Sequence, residues 1–313
     1  MLIVDDASTD ETPTVTAALI DAGKPVRVIR HEANLGHIAS INEGLAAVDG
    51  EYLVKLDADD LLAPGALGRA TALLEAHPEV GFVTGRPMHF TTEPTHPTWS
   101  PAVSWTIEQG HRWLAACCRT ATNPVSSPEV VMRTSVTRQA GPRPADLPHT
   151  YDLELWMQMA TIADVGRVNG PPQGYYRVHG DSQQRTVHAG ILFDLQGRRD
   201  AFDAAFADVC GTVPGATGLH DAARRRLARQ ALDRACRAYE RGRTDEVNVD
   251  DLVEFALGVW PEARGLSEWR ALERRQRVGV EGAPRRPSFV ARAIFRRTSE
   301  ELNRRRWERT GVR

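Results

Sequence analysis

Residues 50–60 read Gly50-Glu51-Tyr52-Leu53-Val54-Lys55-Leu56-Asp57-Ala58-Asp59-Asp60. A short, mostly apolar run from Tyr52 to Leu56 stops at three carboxylates. Such a run, bounded by turn formers, reads as a buried strand. Asp57 and Asp59 are two residues apart, and an extended backbone places residues of that spacing on one side. The chain opens on the same pattern, Met1-Leu2-Ile3-Val4-Asp5-Asp6. Between and after the two acidic strand ends the pattern alternates. A helix is expected over Pro13–Ala22, with proline at its first position, and a strand over Val26–Ile29. The next helix is Asn34–Val48, where Ile38, Ile41, Leu45 and Val48 fall on one face. A helix over Pro64–Ala76 and a strand over Val80–Thr84 follow. This rhythm predicts an α/β fold with a doubly wound, mostly parallel sheet.

Further along the periodicity weakens. Residues 86–148 carry many prolines and the scattered Trp99, Trp105 and Trp113. Long loops are expected there, with a helix near Ile107–Cys117 and a strand near Glu129–Arg133. Asp152–Ala163 reads as a helix rich in large apolar groups, and Gly166–Asn169 and Gln173–Val178 as short strands. After Gln184 only helices are expected: Ile191–Val209, Asp221–Arg241, Val249–Val259, Leu266–Arg277 and Ser288–Trp307. The expected division is therefore residues 1–185, α/β, and residues 186–313, all-helical.

Composition excludes several classes. The 313 residues allow one or two domains and an ample core. Hydrophobic content of 42% and charged content of 26% exclude a disordered, collagen-like or coiled-coil chain. A net charge of −2 gives no support for nucleic-acid binding. The four cysteines form no C-x-x-C pair, so neither zinc nor redox chemistry is indicated; reduced thiols in a cytoplasmic protein are expected. No apolar run approaches the ~18 residues of a membrane span, and no secretory leader pattern stands at the start. Of the 39 cationic residues, only Lys24 and Lys55 are lysine. A coding bias towards arginine explains that better than function does.

In open parallel sheets, ligands bind at the carboxyl ends of the strands. Two acidic groups stand at such ends here. Paired carboxylates beside a crevice suit Mg²⁺ or Mn²⁺, which keeps positions open for phosphate oxygens and neutralises charge on a diphosphate. Either group alone reads as a solvated turn; both together, at neighbouring strand ends, favour function. Three classes use such sites. Leu2-Ile3-Val4-Asp5-Asp6, with Thr84, resembles a phospho-acceptor receiver domain. That family needs a lysine at the end of a later strand, and none follows Lys55, which excludes it. Nucleotidyltransferases and sugar transferases remain.

Four segments in order decide between them. Val4-Asp5-Asp6-Ala7-Ser8-Thr9-Asp10 resembles a V-D-D-G-S-T-D turn. Glu32-Ala33-Asn34-Leu35-Gly36, through Asn42-Glu43-Gly44, resembles an E-N-x-G helix entry. Gly50–Asp60 resembles G-E-Y-I-x-x-L-D-A-D-D. Asp152-Leu153-Glu154-Leu155-Trp156, then Tyr175-Tyr176-Arg177-Val178-His179, resembles E-D-x-D-L-W followed by Y-R-x-H. Together they resemble the family 2 glycosyltransferases, inverting enzymes of GT-A fold, over residues 1 to about 184.

The resemblance implies roles. Asp5, Asp6, Asp57 and Asn34 would bind the nucleotide-sugar. Asp59 would hold the metal, with Asp57 and His179 near it. Asp152 would be the base that deprotonates an acceptor hydroxyl; the alternative is an N-cap for its helix. Trp156 is expected in the core. The donor would be UDP-, GDP- or dTDP-linked, and the acceptor a glycan, a lipid-linked group or another hydroxyl, in cell-envelope or polysaccharide synthesis. Two departures stand out. Tyr151 occupies an acidic position of the pattern. The strand–helix unit that the family places ahead of V-D-D has no counterpart, so an N-terminally incomplete domain is expected, and an inactive relative acting as a binding or accessory subunit is the alternative. In the tail, Pro284-Arg285-Arg286-Pro287-Ser288-Phe289-Val290 with Ile294-Phe295-Arg296-Arg297 is basic and amphipathic. It reads either as a solvated face or as a peripheral contact with the inner membrane surface.

Overall fold

The computed structural model describes residues 1–91, 102–147, 149–178 and 190–310. The strands fall into three sheets. β1 (Leu2–Asp5) pairs in parallel with β2 (Arg27–Arg30). A five-stranded sheet has the order β3 (Tyr52–Leu53), β8 (Val131–Arg133), β5 (Val80–Thr84), β9 (Asp164–Asn169), β7 (Ser104–Glu108). Of its pairings only β5–β9 is parallel. A small sheet joins β4 (Leu61–Leu62), β10 (Gly174–Arg177) and β6 (Pro87–Phe90). The α/β architecture is as expected. The five-stranded and the small sheet are mixed rather than mostly parallel: in the first the chain after β5 returns through β7 and β8, both antiparallel to their neighbours, and in the second β4 runs against β10.

The helices of the first half are α1 (Thr12–Asp21), α2 (His37–Ala47), α3 (Ala66–Ala76), α4 (Gly110–Thr120), α5 (Thr134–Gln139) and α6 (Tyr151–Ile162). The expected loop region 86–148 is more regular than its prolines imply, since β6, β7, α4, β8 and α5 lie in it. Ile107 belongs to strand β7, and α4 starts only at Gly110. Close packing fixes that start: a Cβ on Gly110 would come within 2.1 Å of the Ala160 carbonyl oxygen of α6.

Helix α6 is buried along nearly its whole circumference, from Tyr151 to Ala160 with Asp152 the exception. A helix apolar on all sides belongs inside a protein. Trp156, 2% exposed, stacks on Phe82 of β5 at 5.4 Å, and Trp113 of α4 meets Phe82 edge-on at 5.8 Å. Each such ring contributes about 1.5–3 kcal/mol through burial alone. Trp156 is thus a core residue. Of the two polar side chains of α6 that point inward, Glu154 is satisfied locally, while Gln158 Oε1 has no hydrogen-bond partner. Glu154 pairs with the buried Arg143 and accepts from Gln158.

The second half is helical, as expected: α7 (Ile191–Ala207), α8 (Ala216–Arg241), α9 (Val249–Val259), α10 (Ser267–Val278) and α11 (Pro287–Thr310). The expected boundary at 185–186 lies outside the described residues. The alanines Ala223, Ala228, Ala231, Ala235 and Ala238 form the buried stripe of α8. Their small side chains let α4, α7, α9 and α10 approach it closely. One apolar core runs from Leu53 and Phe82 through α6 to Leu272 of α10, so the helices complete the core of the α/β part. All four cysteines are buried and none is in a disulfide. Among the described residues, no helix is long and apolar enough to cross a membrane.

Candidate functional site

The chain leaves β3 at Val54 and turns at Asp57–Asp60, where the Asp60 N–H donates to the Asp57 carbonyl at 3.1 Å. The β4–β10 pairing then ties this turn to Arg177 of β10. Asp57 accepts from Lys55 Nζ at 2.5 Å. Asp59 is exposed, and its main-chain oxygen accepts from Arg177 Nε at 2.8 Å. Asp60 is buried; Oδ1 accepts from the Arg177 N–H at 2.8 Å, while Oδ2 has no hydrogen-bond partner. Burial, reinforced by Asp59 and Asp57, pushes the Asp60 pKa up to about 6.

Asp152 lies in the first turn of α6, one residue inside the helix. Thr150 holds the N-cap position, so capping does not account for Asp152. Asn123 Nδ2 donates to Asp152 Oδ2 at 2.8 Å, and the Leu153 N–H donates to Oδ1 at 2.7 Å. Burial raises the Asp152 pKa above the ordinary carboxylate value, against the pull of Leu153, Asn123 and Lys55.

The Asp57 turn and Asp152 meet around Lys55 and Tyr151. Lys55 Nζ lies 5.7 Å from the centre of the Tyr151 ring. Burial works against its charge, but Tyr151 and Asp57 outweigh it and hold the ammonium above its usual pKa. Tyr176 of β10 is raised first by burial and then by the fields of Asp60, Asp57, Asp59 and Asp152. A crevice of about 10 Å³, room for roughly one water, is lined by Lys55, Tyr151, Asp152 and Trp156 together with Ile41 and Leu45 of α2.

The first acidic pair is built differently. Asp5 is buried, pairs with Arg30 and accepts from the Ser8 N–H at 2.9 Å. The Ser8 hydrogen bond is the main cause that lowers its pKa, burial opposing it. Asp6 accepts from the N–H groups of Leu35 (2.7 Å) and Gly36 (2.9 Å) and from His31 Nδ1 (2.7 Å). Gly36 sits at φ 91° just before α2, a conformation glycine adopts at no steric cost. Asp6 thereby fixes the entry to α2, whose first residue, His37, meets Tyr151 edge-on at 5.3 Å. In the turn between the pair and Ser8, Ala7 holds a left-handed φ of 60°.

Of the expected residues, Asp57 and Asp152 are brought together beside Lys55: Asp57 accepts from it, and Asp152 lines the same crevice. Asp59 stands exposed on the same turn as Asp57, and Asp6 holds the entry to α2. Asp5 serves its own turn. Asn34 is exposed beside the entry to α2. His179 lies outside the described residues. Sequence reasoning missed Lys55, Asn123, Tyr176 and His31. A signal existed for Lys55, one of two lysines in an arginine-rich chain; Asn123 and His31 have none, because their partners are distant in sequence. Among the described residues, no three His, Cys, Asp or Glu side chains form a metal cage by themselves. The Asp57–Asp60 turn carries three carboxylates, the oxygen donors that Mg²⁺ takes one or two at a time.

Comparison with known proteins bears on this site. Residues 1–125 match the family model described as glycosyl transferase family 2. An uncharacterized glycosyltransferase of Haemophilus influenzae is 24% identical over 58% of this chain and 57% of its own length. The succinoglycan biosynthesis protein ExoU of Rhizobium meliloti is 36% identical over 22% of this chain and 20% of its own. The chain thus spans little more than half of the first relative and a fifth of the second. In fold, it is similar to S. aureus TarS 1–349, solved in complex with UDP-GlcNAc: TM-score 0.58, 14% identity, covering 90% of this chain and 80% of that one. The motifs and the family match agree over residues 1–125, where the chain is similar to glycosyl transferase family 2, and the fold is similar to that of TarS.

Proposed function

We propose that the chain transfers a sugar from a nucleotide-sugar donor to a hydroxyl acceptor, with inversion at the anomeric carbon, in polysaccharide or cell-envelope synthesis. One observation carries the reading: Asp57 pairs with Lys55, and Lys55 and Asp152 line one crevice. A base and a diphosphate-binding turn must face one reaction centre, and this proximity supports giving Asp152 and the Asp57–Asp60 turn those two parts. The succinoglycan relative supports the biosynthetic context.

In this reading Asp152 takes the proton of the acceptor hydroxyl. The oxygen attacks the anomeric carbon, the bond from that carbon to the diphosphate oxygen breaks, and the nucleoside diphosphate leaves with the electron pair. A base with a raised pKa is better matched to a hydroxyl proton near neutral pH than an ordinary carboxylate. Asp59, exposed on the turn, and Asp60, whose buried Oδ2 lacks a partner, are the groups that would hold Mg²⁺ or Mn²⁺. The cation would neutralise charge on the departing diphosphate. Asp57 holds Lys55, which brings one positive charge of the protein's own to the same place. Asp6 sets the α2 entry, and with Asp5 and Asn34 forms the side on which the nucleoside would lie.

Calorimetry with UDP-, GDP- and dTDP-sugars in Mn²⁺ tests the donor site, and product analysis tests transfer. Asp59→Ala is expected to abolish metal-dependent binding. Asp152→Asn is expected to keep donor binding and to lose roughly 10²–10⁴-fold in transfer rate. Full transfer by Asp152→Asn would remove the base assignment. Binding without transfer to any acceptor would favour the accessory-subunit reading.

A further inference from the structure

Far along the chain, the end of α10 and the start of α11 enclose an open cavity of about 500 Å³. Its walls carry Arg274 and Arg277 from the last turns of α10, Arg286 from the segment ahead of α11, and Ser288 from the first turn of α11. Its floor is Arg275 and Phe289. Arg275 is 2% exposed, lies over the Phe289 ring at 4.3 Å and pairs with Glu240 of α8 at 2.5 Å.

The charges around this cavity do not balance. Glu240 already serves two guanidiniums, since its other oxygen accepts from Arg296 at 2.9 Å. Glu273 accepts from the Trp269 indole at 3.1 Å, and Glu281 is exposed and pairs with none of the three. Among the described residues, Arg274, Arg277 and Arg286 have no carboxylate within ion-pairing distance. Arg286 instead lies 5.7 Å from the Phe289 ring centre. Cations in the last turn of a helix are favoured by its dipole, which accounts for Arg277 on α10 but not for Arg274, one position ahead of that turn. It does not account for Arg286, which stands on the opposite wall.

We infer that this cavity binds a phosphate-bearing anion, gripped by Arg274, Arg277 and Arg286. The volume lies within the usual range of ligand pockets. A guanidinium presents two parallel N–H groups to two phosphate oxygens, and this geometry makes arginine the preferred partner of phosphate. The buried Arg275–Phe289 floor and the opening of α11 give the anion a fixed seat. The inference does not depend on the donor site, which lies on the α/β part.

The test uses the full chain in EDTA, so that a metal-dependent diphosphate site contributes nothing. Two probes separate the sources of phosphate: pyrophosphate by calorimetry, and flotation with phosphatidylcholine vesicles with or without phosphatidylglycerol. Wild type is expected to bind at least one probe, more weakly as salt rises. The triple variant R274A/R277A/R286A should lose roughly tenfold or more in affinity for that probe while keeping the wild-type melting curve. Binding of pyrophosphate alone identifies a soluble phosphate, and binding of phosphatidylglycerol vesicles identifies a lipid headgroup. If wild type binds neither, or the triple variant binds as wild type does, the inference is wrong. Should the triple variant not fold, R286A alone carries the test, and an unchanged affinity overturns it.

Discussion

Lys55 Nζ lies 2.5 Å from Oδ1 of Asp57, two residues further along the same strand end. The pair is partly shielded, with side chains 21% and 35% exposed. Lys55 also lines one crevice with Asp152 and favours its charged form, so one ammonium acts on both halves of the site.

Replacing it by methionine should therefore show in two readouts. Asp57 would lose its partner, which costs on the order of 1 kcal/mol in urea denaturation for a half-buried pair. The Asp152 pKa would rise further, because a cation that favoured its charged form is gone. The acid limb of the transfer rate against pH should move to higher pH in Lys55→Met. A limb that stays in place would show that Lys55 acts on Asp57 alone.

Asn123→Ala removes the 2.8 Å hydrogen bond to Asp152 Oδ2. That bond favours the ionised form, so its loss also moves the acid limb upward. The carboxylate loses an anchor as well, and kcat should fall with little change in the donor Kd. Rescue by Asn123→Ser, which keeps a donor, would separate anchoring from a general loss of stability.

His31 bridges Asp6 at 2.7 Å and Glu43 at 2.6 Å. The hydrogen bond to Asp6, then that to Glu43, raises the His31 pKa above its ordinary value; the same bond to His31 is the main cause that lowers the Asp6 pKa. The His31 contribution to stability is complete below the unfolded imidazole pKa, about 6.5, and fades as pH rises through its higher folded value. The Asp6 contribution is present above the ordinary carboxylate pKa and fades as pH falls through its lower folded value. The difference in melting temperature between wild type and His31→Ala should be largest between these limits and shrink in alkali. A constant difference would mean that the imidazole acts by packing.

Ala7 holds a left-handed backbone at φ 60°. That conformation costs an L-residue roughly 1–2 kcal/mol, and glycine avoids the cost while losing about 0.5–1 kcal/mol of chain entropy. Ala7→Gly should thus raise stability by up to about 1 kcal/mol, and the acidic turn should keep its shape. Equal or lower stability in chemical denaturation would show that the turn relaxes around alanine.

Much of this protein is written in local pattern. Leu2–Val4 running into Asp5-Asp6 is a strand end readable from neighbours alone, because apolar runs and turn residues act over a few positions; of the run Tyr52–Leu56 only Tyr52–Leu53 is strand, since its partner β8 is three residues long. The helices of residues 191–310 are readable for the same reason, their apolar residues recurring at helical spacing. Burial of Trp156 followed from its place in an apolar helix.

What local pattern could not contain is pairing at a distance. β7 and β8 join the sheet antiparallel to their neighbours, and that is settled by partners up to about 80 residues away: Val131 opposite Val83, Ser104 opposite Asn169. Asn123 beside Asp152, His31 between Asp6 and Glu43, and the crevice that Lys55 shares with Asp152 exist only once distant segments pack together. A residue's type and spacing fix what it can do chemically. Which charges it meets, and how far from water, depends on chain segments brought together by burial, and only the tertiary structure supplies that.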